Sequence, residues 1–194
     1  LYAAGRMGVP TLAVDLIMTR DTEAAAHMAA QLCRLNDERR QLVSGIYDEA
    51  AEMLVTQKVP GPIVLAKKGW YQGVMGIVAA RIAEVHRLPT VMVCVDDDGV
   101  GRGSCRSFGN FQLYHALEAC SDLLINFGGH EMAAGITILE ENVPEFTRRL
   151  REYYSNLVKI PPEPTLAVDF EVVKPGLLSI ENLQAAERVL EPYG

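Results

Sequence analysis

No stretch of this 194-residue chain approaches the ~18 to 20 consecutive apolar residues that a helical membrane span requires. No Cys-x-x-Cys pair is present. Cys33, Cys94, Cys105 and Cys120 are scattered, which is unlike zinc and disulfide frameworks and fits reduced thiols in a cytoplasmic protein. There is no His-x-x-x-His, no Asp-His-His run and no close carboxylate–histidine set, so no metal centre is expected. Gly-x-Ser-x-Gly and Walker loops are also missing, which removes serine-hydrolase and P-loop chemistry. Asp96, Asp97 and Asp98 read as a solvated turn, with a hard-cation site as the alternative. The start, Leu1-Tyr2-Ala3-Ala4-Gly5-Arg6, shows neither an initiator Met nor a signal peptide and reads as the interior of a longer protein.

What is present is a globular composition, 49% hydrophobic and 22% charged. The net charge of −7 excludes broad wrapping by nucleic acid. The charge is uneven, however. Residues 60–110 carry six basic side chains against four acidic ones, whereas residues 111–194 carry six against thirteen. A phosphate grip would therefore be local and central.

The order of elements reads as α/β. Thr11 to Met18 is a short helix. From Asp21 to about Thr56 there is no Pro and only Gly45. Met28, Leu32, Leu35, Leu42, Ile46 and Met53 make a heptad-like stripe there, predicting one long helix. Such a helix bridges two domains or pairs as a coiled coil. Val59-Pro60-Gly61-Pro62 breaks it. Beyond this, strands are expected at Ile63–Ala66, Thr90–Val95, Val100–Ser107 and Ala134–Leu139. Helices are expected at Val74–His86, Phe111–Cys120 and Val143–Leu157. A Pro-rich linker at 160–164, an alternating strand from Leu166 to Val172 and a helix over Ile180–Leu190 close the chain.

Three clusters could carry chemistry. The first is Gly101-Arg102-Gly103-Ser104-Cys105-Arg106-Ser107, whose small residues admit close approach of an anion and whose hydroxyls and guanidinium groups donate to phosphate. Arg102, Ser104 and Arg106 share one strand face. A solvated hairpin with ordinary surface arginines is the competing reading. The second is Phe127-Gly128-Gly129-His130 followed by Ala133-Ala134-Gly135, a tight turn presenting an imidazole. The third is Gly69-Trp70-Tyr71-Gln72-Gly73-Val74-Met75-Gly76. Here Trp70 either stacks on a base or caps the core, and Gly76 either opens a helix N-terminus to an anion or allows close helix-to-sheet packing.

These strings, in this order, resemble the RecJ family of single-strand DNA exonucleases within the DHH phosphoesterase superfamily. Ala3-Ala4-Gly5-Arg6-Met7-Gly8 is similar to the run that closes the family's catalytic domain. Leu35-Asn36-Asp37-Glu38-Arg39-Arg40 is similar to a segment of its long inter-domain helix. Trp70 to Arg81, Gly103 to Ser107, Phe127 to His130 with Ala133 to Gly135, and Leu190-Glu191-Pro192-Tyr193-Gly194 complete the match. The chain departs at Tyr71, where the family often has His, and at Tyr2, where it often has Asn.

The resemblance implies a mixed-sheet DHH-associated domain preceded by a long connecting helix and followed by the start of an OB-like domain. Its divisions would be 1–20, the end of the catalytic domain; 21–58, the connecting helix; 59–160, the substrate-binding domain; and 161–194, the linker and OB-like start. It implies 5′→3′ hydrolysis of single-stranded DNA by two divalent ions, Mn2+ or Mg2+, held by an upstream domain and not by this stretch, which alone would be inactive. His130 would stand at the scissile group, with Arg6 supporting it near the cleft. Ser104, Arg106, Ser107, Gly103, Gly128, Gly129, Trp70 and Arg102 would contact the strand. Single-stranded DNA, a single-strand-binding protein and a helicase would be partners, with no membrane, in DNA repair and recombination in a bacterial cytoplasm. The alternatives are an oligoribonuclease or small-nucleotide phosphatase of the same superfamily, or a non-catalytic replication-associated relative.

Overall fold

A computed structural model of the chain describes residues 1–55, 61–157, 171 and 174–190. The chain divides into two compact units, Leu1–Ile160 and Pro161–Gly194. The expected linker at 160–164, the strand at 166–172 except Glu171, and the closing residues 191–194 lie outside the described residues.

The first unit opens with α1 (Tyr2–Arg6) and α2 (Pro10–Met18). The sequence reading did not anticipate α1. Its buried Ala3 and Ala4 let it lie close to the long helix. Pro10 stands where a first-turn N–H would be orphaned anyway. The long helix α3 (Thr22–Val55) has 34 residues, about 50 Å at 1.5 Å per residue. Asp21 caps it, its Oδ1 accepting the backbone N–H groups of Glu23 at 2.9 Å and Ala24 at 3.1 Å. Leu32 and Ile46 of the expected stripe are buried, but the line then continues through Ala50 and Leu54, leaving Met53 half-buried. A straight helix of 3.6 residues per turn drifts ~20° per heptad, so a helix packed on a globular body follows spacings of four and not a strict seven.

One five-stranded mixed sheet has the order β1-β2-β3-β5-β4, with β1 (Ile63–Lys68), β2 (Thr90–Val95), β3 (Val100–Arg106), β4 (Leu124–Gly129) and β5 (Ala133–Leu139). β1 and β2 are parallel and joined through α4 (Met75–His86); the other neighbours are antiparallel. The β2–β3 turn is acidic, as read. Gly99 adopts φ +78°, and the Asp96 carboxylate accepts the Val100 N–H at 2.8 Å. β4 was not expected. It is an edge strand with exposed Ile125 and Asn126 and an irregularity between Leu124 and Asn126, so it lacks the alternation that marks a half-buried strand.

Helices cover both faces, unequally. On one side α3 and α4 bury Ile63, Leu65 and Met92 against Ile46, Val78 and Ile82. On the other, α5 (Leu113–Glu118) and α6 (Val143–Leu157) bury Val91, Val93, Cys105, Ile136 and Ile138 against Leu117, Phe146 and Leu150. α4 rides over β2 and β3. Beyond it, the same face of β5 and β4 carries Ala133, Gly135, Thr137, Asn126 and Gly128. Of these, Gly135, Asn126 and Gly128 are exposed. Half of the sheet is thus left open on the α4 side.

In the second unit the described elements are a turn of 3-10 helix at Pro175–Leu177 and α7 (Ile180–Leu190), where the Ser179 hydroxyl accepts the Asn182 N–H at 3.2 Å.

Candidate functional site

The register of β3 puts Arg102, Ser104 and Arg106 on the α4 side of the sheet, as the alternation predicts. α4 crosses closely above them because Gly76 has no side chain. A Cβ there would fall 2.6 Å from Arg106 Nη2 and 3.5 Å from Ser104 Oγ. The hydroxyl and the guanidinium therefore converge on one spot beneath the first turn of α4. Arg106 Nη1 donates to the Cys105 carbonyl at 2.8 Å. No ion pair among the described residues involves Arg106. An unpaired guanidinium beside a helix N-terminus, where the macrodipole is also positive, favours an anionic partner.

Arg106 stands beside Ala133 of β5. On the far side of β5, the His130 N–H donates to the Ala133 carbonyl at 2.8 Å. Two inter-strand steps of about 4.8 Å place the Arg106 and His130 backbones roughly 10 Å apart. His130 is exposed and Arg106 half-buried, so the sheet brings them to the same end with neither covered. They do not line one cavity: His130 shares a recess with Tyr114, His115, Gly129, Glu131 and Met132. Gly129 adopts φ +147°, and a Cβ there would lie 2.5 Å from the Ala133 carbonyl oxygen, so this turn requires glycine. Gly128 faces open space on the Ser104 side. Arg6 reaches the other end of the cluster through its backbone, for a side chain at Gly73 would collide with the Arg6 carbonyl oxygen. Its guanidinium turns to Tyr2, donating from Nε to the phenol oxygen at 3.0 Å.

The structure places four of the expected contact residues away from the Arg106–Ser104 spot. Trp70 is buried, with 5% of its surface exposed. Its Nε1–H donates to Glu49 at 2.7 Å and its carbonyl accepts from the Cys94 thiol. It is the core cap of the two readings and offers no face to a base. Ser107 is buried and both of its donors are engaged, the hydroxyl with the Phe111 carbonyl and the N–H with the Met132 carbonyl; it holds a turn. Gly103 turns the missing side chain toward the α5–α6 core, where a Cβ would meet Ile136 and Val93. Arg102 shares the right face but stands four residues from Arg106, roughly 13 Å along a strand, and is paired with Asp96 at 3.5 Å. Inside the same motif, burial pushes the Cys105 thiol up to about 12, so it packs and does not react.

The sequence reading singled out Ala133 and Gly135 beside the His130 turn but missed Thr137 and that the three share one sheet face as the floor of the site. The signal was available, since Ala133 to Ile138 alternates small or polar residues with apolar ones. Among the described residues no group of three or more His, Cys, Asp or Glu side chains is placed to hold a metal ion. The residues of this site therefore do not fit a resident divalent cation.

Comparison with known proteins places these features in a family. Residues 52–156 match the model of the DHHA1 domain. The chain is 41% identical over 158 residues to a single-stranded-DNA-specific exonuclease RecJ of Bacillus subtilis, covering 80% of this chain and 20% of that protein. It is 34% identical over 198 residues to the protein of the same name from Thermus thermophilus, covering 100% of this chain and 28% of that one. Its fold matches the crystal structure of RecJ in complex with Mn2+ from Thermus thermophilus, with a TM-score of 0.82 at 33% identity, over 100% of this chain and 28% of that one. A structure of RecJ with Mg2+ from the same organism gives 0.81. The chain spans between a fifth and a third of the length of these relatives.

Proposed function

Because the chain belongs to the DHHA1-domain family, we propose that it is the strand-gripping part of a single-strand-specific DNA exonuclease acting in the 5′→3′ direction. The observation that carries this reading is the convergence of the Arg106 guanidinium and the Ser104 hydroxyl beneath Gly76. They stand at the border of the open half-sheet, and among the described residues no carboxylate forms an ion pair with the arginine.

In this reading one backbone phosphate sits between Arg106 and Ser104. Gly135 and Gly128 let the strand lie flat on the sheet, and His130 stands beside the scissile group. Arg6 borders the cleft from the α1 side. The floor is bare, lined by the small residues Ala133, Gly135 and Gly128, which suits a single strand tracked by its backbone. Metal chemistry belongs to residues other than these, so the role of this chain is to bind and orient. The divisions 1–20, 21–58, 59–160 and 161–194 assign the long helix as connector and the last segment as the start of an OB-like domain. A single-strand-binding protein and a helicase as partners, and a role in DNA repair and recombination in the bacterial cytoplasm, complete the proposal. Among the described residues no helix is long and apolar enough to cross a membrane.

The test is the anisotropy of a labelled oligothymidylate titrated with the chain over a series of salt concentrations. Arg106→Ala is expected to weaken binding and to make the slope of log K against log salt shallower by about 0.7, one phosphate's worth on a single strand. An unchanged slope removes Arg106 from the phosphate site.

A further inference from the structure

We infer that the recess lined by Tyr114, His115, Gly129, His130, Glu131 and Met132 is a subsite for one nucleobase. This inference rests on the proposed single-strand reading and adds a base contact to it. The recess, of about 690 Å³, lies on the α5 side of the turn that ends at His130. It therefore lies on the opposite face of the sheet from the open floor, round the sheet end at His130. Gly128 belongs to that floor, and the next two residues, Gly129 and His130, line the recess. A strand lying on the half-sheet and passing His130 delivers a flanking nucleotide there.

The lining selects a base over a phosphate. Glu131 is its one formally charged side chain when the histidines are neutral, and it carries no Lys or Arg. An aromatic ring, two imidazoles and a thioether surround the space instead. The Tyr114 ring packs against Phe127, with centroids 5.7 Å apart and planes inclined by 49°, yet remains 37% exposed. It is braced by Phe127 and, edge-on at 6.1 Å, by His115, and its exposed part is what a stacking platform must offer. Met132 is 56% exposed at the rim. Two backbone hydrogen bonds fix the walls: the Leu113 N–H to the Glu131 carbonyl at 3.1 Å, and the Ser107 N–H to the Met132 carbonyl at 2.9 Å. The first ties the start of α5, and the second the residue after β3, to the 130–132 turn, so the platform exists before any base arrives and little ordering is required on binding.

The experiment compares two probes of equal length, hexathymidylate and a hexamer of abasic residues that keeps every phosphate. The chain is expected to bind hexathymidylate at least about fivefold more tightly, the size of one lost stack. Tyr114→Ala and Tyr114→Leu should bring hexathymidylate down toward the abasic value and leave abasic binding unchanged, while Tyr114→Phe keeps the wild-type preference. Tyr114→Leu retains apolar contact with Phe127, so a lost preference in that variant is not a folding defect. A Tyr114→Leu chain that prefers hexathymidylate as strongly as wild type overturns the subsite, and so does a wild type that binds both probes equally. Arg106→Ala should weaken both probes alike. If it weakens neither while Tyr114→Leu still abolishes the preference, the phosphate reading fails and the base subsite stands. If the wild type binds neither probe, both fall.

Discussion

Gly76 has no side chain, and the Arg106 guanidinium occupies the space one would take. Gly76→Ala therefore tests the site by displacing the Arg106 guanidinium without removing any proposed contact group. The colliding atom is the far end of a flexible side chain, so the fold can absorb the change. Alanine in a helix is also favoured over glycine by up to about 1 kcal/mol. The expected outcome is an undiminished melting temperature with single-strand affinity lowered toward that of Arg106→Ala. A drop in melting temperature with affinity intact would contradict the placement. Gly129 behaves differently, since its imagined Cβ meets backbone at Ala133 and Ala134 under φ +147°. Gly129→Ala should cost about 1–3 kcal/mol of stability by denaturant unfolding. At this scale the sequence was legible where chemistry is local, as in the shared face of Arg102, Ser104 and Arg106. It was not legible for Trp70, Ser107 and Gly103, because a motif shows a residue's type and not which way the surrounding core draws it.

Among the elements, α3 is held to the sheet by Glu49, whose Oε2 accepts from Lys67 Nζ at 2.9 Å and from Trp70 Nε1 at 2.7 Å. Arg81 adds a cation–π contact over Tyr47 at 3.9 Å. The chain has one Trp, so its emission reports this junction alone. Glu49→Ala should shift the emission to longer wavelength with the far-UV spectrum preserved, and Glu49→Gln, which keeps an acceptor, should shift it less. An unmoved emission maximum in Glu49→Ala would show that the junction does not depend on the carboxylate. The Lys67 hydrogen bond first, and then that of Trp70, hold the Glu49 carboxyl below its ordinary value. Its contribution is therefore present at neutral pH and lost as acid protonates it. The long helix and four strands were legible from periodicity and breakers. β4 was not, because an irregular edge strand ending in Gly-Gly looks like a turn in one dimension.

For the whole molecule, acid should act through the surface network on α6. The hydrogen bond from Arg148 first, and then that from Arg149, pull the Glu145 carboxyl from 4.5 down to about 2, and Arg149 likewise lowers Asp122. Folded values below unfolded ones mean stability that is complete above the ordinary carboxylate range and is lost as pH falls through it toward 2. Melting temperature should hold from neutral pH to about 5 and then decline. Arg149→Ala should flatten that decline, as should high salt, since these groups are exposed. An identical acid profile in Arg149→Ala would contradict the network's part in it. The charge is −7 overall, with the basic excess confined to residues 60–110, where β3 and α4 lie. Which half of the sheet stands open was beyond the sequence, because the β3-β5-β4 order arises from pairings between distant segments.

Amide chemical-shift mapping of the labelled chain during titration with a short oligothymidylate tests the central claim most directly. The account predicts the largest changes at Gly76, Ser104, Arg106, Gly128, His130 and Gly135, fading with salt and absent with a duplex of equal length. Changes centred instead on Arg148 and Arg149 of α6, with the open half-sheet unmoved, would contradict it.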